Sequence, residues 1–275
     1  MVASFLLSLR EGIEAALIIA IVLGALGKMG RPDMRRAVWL GTISAIGVSL
    51  LAGIGLAAFG LSLEGAAEEI FEGFAMLLAA SVLTWMIFWM HRQSRTIKGD
   101  LEDGVKQATT SNSSKALFSL AFLAIVREGI ELALFLTAAQ FAADGQSILI
   151  GALLGLAFAV LLGYLIFVST VRLNLRAFFQ VTGFLLILFA AGLVAHAVHE
   201  FNEVGWIPSL IDHVWDINYI LDEKSTTGLM FKALFGYNGN PSLTEVLAYA
   251  GYVIAITAGL QMANRPKVEL SRRPA

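Results

Sequence analysis

Seven long apolar stretches constrain the fold of this chain more than any other feature. A helix that crosses the hydrocarbon core of a bilayer needs about 20 mainly apolar residues. Of the 275 residues, 57% are hydrophobic and only 15% are charged, which is too much apolar surface for one water-soluble core. The pattern predicts an all-α integral membrane protein with seven transmembrane helices, and it excludes a nucleic-acid binder, a disordered chain and a disulfide scaffold. The predicted helices cover approximately 3–28, 37–61, 66–90, 116–142, 147–171, 176–200 and 243–263.

The distribution of basic residues predicts how these helices are oriented. Cytoplasmic connections of membrane proteins carry an excess of Lys and Arg. Most of the 19 basic residues fall on one side of the predicted helices, so we expect the N-terminus outside and the C-terminus in the cytoplasm. The prediction is one transmembrane domain, 1–275. It consists of repeat one (1–90), a cytoplasmic loop (91–115), repeat two (116–200), an extracytoplasmic loop (201–242), helix seven (243–263) and a cytoplasmic tail (264–275).

A charged five-residue motif occurs twice within these apolar stretches. Arg-Glu-Gly-Ile-Glu occupies 10–14 in the first predicted helix and 127–131 in the fourth. Because helices one and four cross the membrane in opposite directions, the copies predict an inverted repeat of helices 1–3 and 4–6. Secondary transporters use this plan, with the substrate site at the repeat interface. At 1.5 Å per residue, Glu14 and Glu131 each lie roughly 20 Å from the nearer end of their helix, close to mid-membrane.

The spacing of charges within the motif predicts a metal site. The two glutamates of each copy are three residues apart and therefore share a helix face. Oxygen-only ligands with surplus negative charge suit a hard cation, while arginine can hold a carboxylate in place. The alternative is that each motif is an intramembrane salt bridge that joins two helices. The predicted metal and translocation ligands are Glu11, Glu14, Glu128 and Glu131, with Arg10 and Arg127 as charge-balancing residues.

Other residues on the motif helices and on helix 3 have packing interpretations. Gly12 and Gly129 remove side-chain bulk beside the acids, which we expect to let helices 1 and 4 approach closely. Trp85 and Trp89 are predicted to anchor at the cytoplasmic boundary of the membrane. Met86 is predicted to be an ordinary packing residue.

Acidic and histidine side chains gather at the predicted outer ends of helices 3 and 6. The acids that begin helix 3 are interpreted either as favourable charges at a helix N-terminus or as an entrance site that captures cations. The histidines near the end of helix 6 are either hydrogen-bonded helix-end residues or part of an outer metal-handling patch. The outer entrance candidates are Glu68, Glu69, Glu72, His196, His199, Glu200 and Glu203.

These motifs resemble those of the oxidase-dependent iron permease family, which includes the high-affinity iron permeases of fungi and the permeases of bacterial three-component iron-uptake systems. The family hallmark is Arg-Glu-Gly-x-Glu in helices 1 and 4, present here at 10–14 and 127–131. The segments 69–74, 195–203 and 236–241 also resemble bacterial members. The resemblance implies iron import across a bacterial cytoplasmic membrane, with Fe3+ as the expected substrate, the motif glutamates as translocation ligands and no permanently bound cofactor.

The resemblance also bears on partners. The Asp-Ala-Ser-Glu loop motif of fungal relatives and a large extracytoplasmic domain are absent from the sequence, so we expect any oxidation step to require a separate extracytoplasmic oxidase, peroxidase or iron-binding protein. The other expected partners are the iron ion and the lipid bilayer, without nucleic acid. The sequence leaves the oligomeric state and the energy source open.

Two further functions stay open at this point. One is a permease for lead or another divalent cation, because carboxylates alone do not select iron. The other is a non-transporting metal sensor or scaffold. An enzyme is not expected, since the four histidines do not form paired axial haem ligands on facing helices and no phosphate-binding glycine motif occurs.

Overall fold

The computed structural model describes residues 1–60, 62–93, 97–142, 145–168, 175–223 and 225–263. Within these residues the chain forms helices and connecting turns, with no strand, so the prediction of an all-α chain is confirmed there. The predicted tail 264–275 lies outside the described residues. The helices are α1 (Val2–Lys28), α2 (Arg35–Gly60), α3 (Ala66–Gln93), α4 (Ile97–Thr110), α5 (Ser114–Ala142), α6 (Gly145–Val168), α7 (Leu175–Glu203), α8 (Thr226–Phe235) and α9 (Leu243–Ala263), with a short 3-10 turn (Pro32–Met34) before α2.

Each predicted apolar stretch coincides with one long helix. Among the described residues, five helices are long and apolar enough to cross a membrane: α2, α3, α6, α7 and α9. Helices α1 and α5 are also long, with 27 and 29 residues, but each carries a copy of the charged motif in its middle. Exposed leucines, isoleucines and valines cover the outer faces of α2 and α6, as expected where lipid is the solvent. The chain is a multi-pass membrane protein.

Two helices lie in segments that the sequence analysis treated as loops. Helix α4 occupies part of the predicted loop 91–115, and α8 occupies part of the predicted loop 201–242. Helix α4 is amphipathic, and its Val105 and Ala108 are buried against the C-terminal half of α1 and the beginning of α5. Both helices are shorter than a membrane span, so a search for long apolar stretches does not detect them.

The helix pairs show a symmetric packing arrangement. Helix α1 packs mainly on α6, α2 packs mainly on α5, and α3 packs on α7. Helix α1 also contacts α5, and α9 packs on α7. If α1 is exchanged with α5, α2 with α6 and α3 with α7, the contact of α1 with α6 becomes the contact of α5 with α2. The contact of α3 with α7 is unchanged by the exchange. This is the arrangement that two similar halves produce.

Close approaches between the helices show their relative directions. A Cβ on Gly155 of α6 would meet Ser8 of α1, and a Cβ on Gly163 would lie 2.7 Å from the Cβ of Ala16. Helices α1 and α6 therefore run parallel, and they meet along the Gly-x-x-x-Gly segment of α6. Gly41 of α2 likewise lies against residues 118–122 of α5, and Gly53, further along α2, lies against Ala133, further along α5. Helices α2 and α5 therefore also run parallel.

Three buried apolar clusters occur among the described residues, and the two larger ones lie on either side of the charged motifs. The first cluster joins α1, α3, α5, α6 and α7 and includes Leu7 and Phe135. The second joins α1, the 3-10 turn, α2, α4 and α5 and includes Val22 and Leu117. Residue numbers rise along α1 and fall along α5 between the first cluster and the second, so the two motif helices are antiparallel. Both motif copies lie between these clusters, away from either end of the bundle.

Candidate functional site

The first motif forms a buried charged group on α1. Arg10 and Glu11 are only 2% and 1% exposed. The Nη1 atom of Arg10 lies 3.3 Å from Glu11 Oε1, and Nη2 lies 3.2 Å from Glu14 Oε1. Arg10 Nη1 also lies 3.0 Å from the sulfur of Met86 on α3. One guanidinium group therefore engages both glutamates of its own motif and, through Met86, a second helix.

The second motif is paired differently on α5. Arg127 Nε donates to Glu131 Oε1 at 2.8 Å and lies 4.0 Å from Glu128 Oε1. Both glutamates are buried, whereas the Arg127 side chain is 32% exposed. Its guanidinium group lies over the rings of Trp85 and Trp89. The identical motifs therefore have different surroundings.

The structure brings three of the four predicted metal ligands together. Carboxylate oxygens of Glu11, Glu128 and Glu131 all lie within 4.8 Å of one another, a separation that one metal ion can bridge. In each of the three, the Oε2 atom is buried and has no hydrogen-bond partner among the described residues. Buried carboxylate oxygens without partners are costly, and a bound cation would satisfy them. An oxygen-only set of this kind suits a hard cation. We call these residues the carboxylate trio.

Glu14 lies beside the carboxylate trio rather than within it. Its carboxylate is ion-paired with Arg10 and interacts electrostatically with Glu131 and Arg127 of the other motif. The side chain is 11% exposed, which is more than that of any member of the trio. Glu14 therefore links the two motifs through charge without belonging to the three clustered carboxylates.

The glycines of the motifs do not serve the purpose predicted for them. Gly12 faces α6, where an added Cβ would lie 2.6 Å from the Cβ of Ala159, and Gly129 faces Ser49 of α2. The expectation that they bring α1 and α5 together is wrong. At 100° per residue, Gly12 lies about 130° around the helix from the centre of the Glu11–Glu14 face. The glycines instead seat each motif helix on its parallel neighbour.

We expect a Gly12→Val variant to melt at a lower temperature than the wild type in detergent. Overpacking a close helix contact costs about 1–3 kcal/mol. Gly24→Val on the same helix is the matched control, because no atom of the described residues outside α1 lies within 4 Å of the position of its Cβ. Thermal unfolding followed by fluorescence checks the prediction, and equal melting temperatures for the two variants would contradict it.

Three residues of α3 belong to the surroundings of the motifs, although the sequence analysis gave them other roles. Met86 is fully buried and contacts Arg10, so it is more than a packing residue. Trp85 and Trp89 contact Arg127 in addition to any anchoring at the membrane boundary. Their spacing on one helix is visible in the sequence, but nothing there indicates which arginine they meet.

The predicted outer acids of α3 face the end of α7. Glu72 interacts electrostatically with Glu200 of α7 and with Glu68 and Glu69 of its own helix. Glu68 is exposed, and Glu69, Glu72 and Glu200 are half-buried. Helix α3 begins where α7 ends, since Gly73 lies against the ring of Phe201. The structure thus gathers carboxylates from two helices at this end of the bundle, and we call Glu68, Glu69, Glu72 and Glu200 the acidic mouth.

The two histidines have separate surroundings. His196 is buried, and its Nδ1 lies 3.2 Å from the carbonyl oxygen of Gly192 within the same helix. His199 lies 3.1 Å from Glu245 Oε1 and 3.4 Å from Glu203 Oε1. His196 is thus hydrogen-bonded within α7, whereas His199 joins α7 to α9 through Glu245.

Glu245, which was not among the predicted site residues, is buried at the beginning of α9. Its carboxylate accepts hydrogen bonds from the side chains of Ser242 and Asn238, at 2.8 and 2.7 Å, and meets His199 of α7. These bonds join α7, α9 and the turn before α9. Its position three residues after Ser242, at a helix N-terminus, is a capping signal that the sequence contained.

Comparison with known proteins identifies the family. The model of the iron permease FTR1 family matches residues 1–269. The chain belongs to the iron permease FTR1 family. It is 35% identical over 274 residues to the ferrous iron permeases EfeU of Shigella sonnei and of Escherichia coli O157:H7, with 99% of each chain covered. It is also 35% identical over 256 residues to that of Yersinia pestis, covering 92% of this chain and 91% of the relative.

No solved structure matches this member of the FTR1 family. The family match confirms the resemblance drawn from the two motifs, and it supports iron transport through the cytoplasmic membrane of a bacterium. A permease family also indicates a transporter rather than an enzyme.

Proposed function

We propose that this protein imports iron, and that the ion crosses the middle of the membrane on Glu11, Glu14, Glu128 and Glu131. The observation that carries the proposal is the carboxylate trio, in which two antiparallel copies of one motif contribute three acids within 4.8 Å. Each member keeps a buried oxygen without a hydrogen-bond partner among the described residues. If the motifs were only structural salt bridges, we would expect these oxygens to have hydrogen-bond partners, because a buried ion pair stabilises a fold only when its hydrogen bonds are complete.

The proposal includes seven membrane spans arranged as an inverted repeat plus a final helix. Helices α1–α3 form one half and α5–α7 the other, with the N-terminus outside and the C-terminus in the cytoplasm. The symmetric pairing of α1 with α6 and of α2 with α5 supports this topology, as do the antiparallel motif helices. Alternating access in such transporters occurs around a site at the repeat interface, where the motifs meet.

Charge favours a cation at this site. Four carboxylates and two guanidinium groups carry a formal surplus of negative charge when ionised, and burial makes that surplus costly without a counter-ion. A bound iron ion supplies the counter-charge, and Arg10 and Arg127 limit repulsion before it arrives. Guanidinium has no acceptor atom and cannot itself bind a metal, so both arginines act as donors to the carboxylates.

The oxidation state of the substrate has two candidates. The resemblance to oxidase-dependent permeases leads us to propose Fe3+, with the oxidation carried out by a separate extracytoplasmic protein. The relatives' name, ferrous iron permease, favours Fe2+ as the second candidate. The charge of the site does not separate them, because a divalent ion would neutralise it and a trivalent ion would leave one positive charge.

Uptake of radioactive iron by cells that lack their own iron importers tests the function. We expect uptake to depend on this protein and to be reduced little by unlabelled lead, manganese or zinc. Strong competition by lead would support the permease for another metal, and metal-dependent signalling without uptake would support a sensor. A membrane-impermeant chelator specific for Fe2+ separates the oxidation states: uptake that survives it indicates Fe3+, and uptake that it abolishes indicates Fe2+.

The acidic mouth is proposed as the entrance for the ion. We expect a Glu69→Gln/Glu72→Gln variant to lose uptake several-fold at low iron concentrations and little at saturating iron. A cleft of one charge raises the local concentration of the opposite ion by about 10-fold or more. Glu64→Gln is the control, because Glu64 is exposed and precedes α3. Unchanged uptake at low iron in a well-expressed double variant would contradict the entrance role.

A further inference from the structure

Arg127 is held by two indole rings as well as by a carboxylate. The central carbon of its guanidinium group lies 4.4 Å from the centre of the Trp89 ring and 5.3 Å from that of Trp85. The two rings are stacked, with centres 6.2 Å apart and an angle of 26° between their planes. We call Trp85 and Trp89 the indole platform. Attraction between a guanidinium group and an indole face is strongest where water is excluded.

The contacts of Arg127 differ from those of its counterpart in the first motif. Arg10 directs Nη1 to Glu11 and Nη2 to Glu14, so both glutamates of its motif are engaged. Arg127 reaches Glu131 through Nε, and its Nη2 is buried without a hydrogen-bond partner among the described residues. Guanidinium groups bind carboxylates best through two parallel N–H donors. The orientation of Arg127 over the rings therefore leaves its strongest binding mode unused.

The carboxylate trio takes one glutamate from the first motif and both from the second. Glu14 is engaged by Arg10 and lies outside the trio, whereas both glutamates of the second motif lie inside it. The Oε2 atoms of Glu128 and Glu131 have no hydrogen-bond partner among the described residues. An Arg127 that bridged these two carboxylates would compete directly with a metal ion for them.

We propose that Trp85 and Trp89 are positioning residues: the indole platform holds the guanidinium group of Arg127 so that Glu128 and Glu131 stay available to the metal ion. The inference rests on the proposed function, because it takes the carboxylate trio as the iron site. When iron binds Glu131 and displaces the guanidinium group of Arg127, that group stays in contact with the indole platform. The platform thus sets the affinity of the site without contacting the ion.

Iron binding by purified protein in detergent tests this role. In Trp89→Leu, we expect the Kd for iron to rise about 3- to 10-fold, the range that loss of a partly desolvated cation–π contact produces. Uptake should show the same rise in KM with an unchanged maximal rate. Trp89→Phe retains an aromatic ring that attracts a cation less strongly, so the Kd for iron should rise less than in Trp89→Leu. This variant replaces Trp89→Leu in the test if the leucine variant folds poorly. Trp39→Leu, which replaces a half-exposed tryptophan of α2, should bind iron like the wild type.

The decisive comparison is made in a second background. In Arg127→Gln, the competing guanidinium group is gone, so adding Trp89→Leu should leave the Kd unchanged. An equal rise in both backgrounds, or no rise in either, would overturn the positioning role. If a Glu128→Gln/Glu131→Gln variant binds iron as tightly as the wild type, the proposed iron site itself is wrong, and that outcome is distinct from failure of the platform.

Discussion

A Glu131→Gln variant is expected to lose iron uptake by about 10- to 100-fold or more, the largest effect predicted for any single substitution. Glu131 is a member of the carboxylate trio and also the hydrogen-bond partner of Arg127. Removing even the hydrogen-bonding partner of a metal ligand costs about 10- to 100-fold in metal affinity, so loss of a ligand should cost at least as much. Glutamine keeps the size of the side chain but loses its charge.

Uptake of radioactive iron, normalised to the amount of protein in the membrane, measures this effect. Glu102→Gln on α4 is the control, because 39% of that side chain is exposed and its contact with Lys28 spans 3.9 Å. Glu131→Asp retains the charge on a shorter side chain and should keep part of the uptake. If Glu131→Gln takes up iron as the wild type does, the repeated motif serves structure rather than transport.

The second large effect is expected in stability. Arg10→Gln leaves the carboxylates of Glu11 and Glu14 without their closest cation in a buried setting. Breaking a buried pair by removing one partner costs about 3–5 kcal/mol. Arg127→Gln should cost less, because the Arg127 side chain is 32% exposed whereas that of Arg10 is 2% exposed. We therefore expect Arg10→Gln to melt well below Arg127→Gln in detergent.

A compensating substitution gives this prediction a second readout. Adding Glu14→Gln to Arg10→Gln removes one of the two uncompensated carboxylates, so part of the lost melting temperature should return. The comparison uses thermal unfolding of purified protein in the same detergent. If Arg10→Gln melts like the wild type, the buried ion pairs on α1 do not stabilise the fold.

Much of the helical framework could be predicted from the sequence because lipid imposes a simple rule on length and polarity. All seven apolar stretches coincide with helices whose ends differ from the prediction by a few residues. Helices α4 and α8 were not predicted, because they are short and depend on packing against other elements. The antiparallel placement of the two motifs followed from counting the helices between them.

The details of the site depended on contacts between distant parts of the chain. Periodicity showed that Glu11 and Glu14 share a face, but it could not show that Glu11 alone of the two would lie within 4.8 Å of carboxylates of the second motif. Gly12 faces α6 rather than α5, because it lies about 130° around α1 from the centre of the Glu11–Glu14 face. The contact of Arg127 with Trp85 and Trp89 brings together residues about 40 positions apart, and no local pattern in the sequence encodes it.

Anomalous X-ray diffraction at the iron absorption edge would test the central claim most directly. Crystals of the protein grown in a lipid phase and soaked with iron should show an anomalous peak between α1 and α5, within about 2.0–2.6 Å of carboxylate oxygens of Glu11, Glu128 and Glu131. The peak should be absent from crystals of a Glu128→Gln/Glu131→Gln variant. A peak confined to the acidic mouth, or one that persists in the variant, would contradict an iron path through the two motifs.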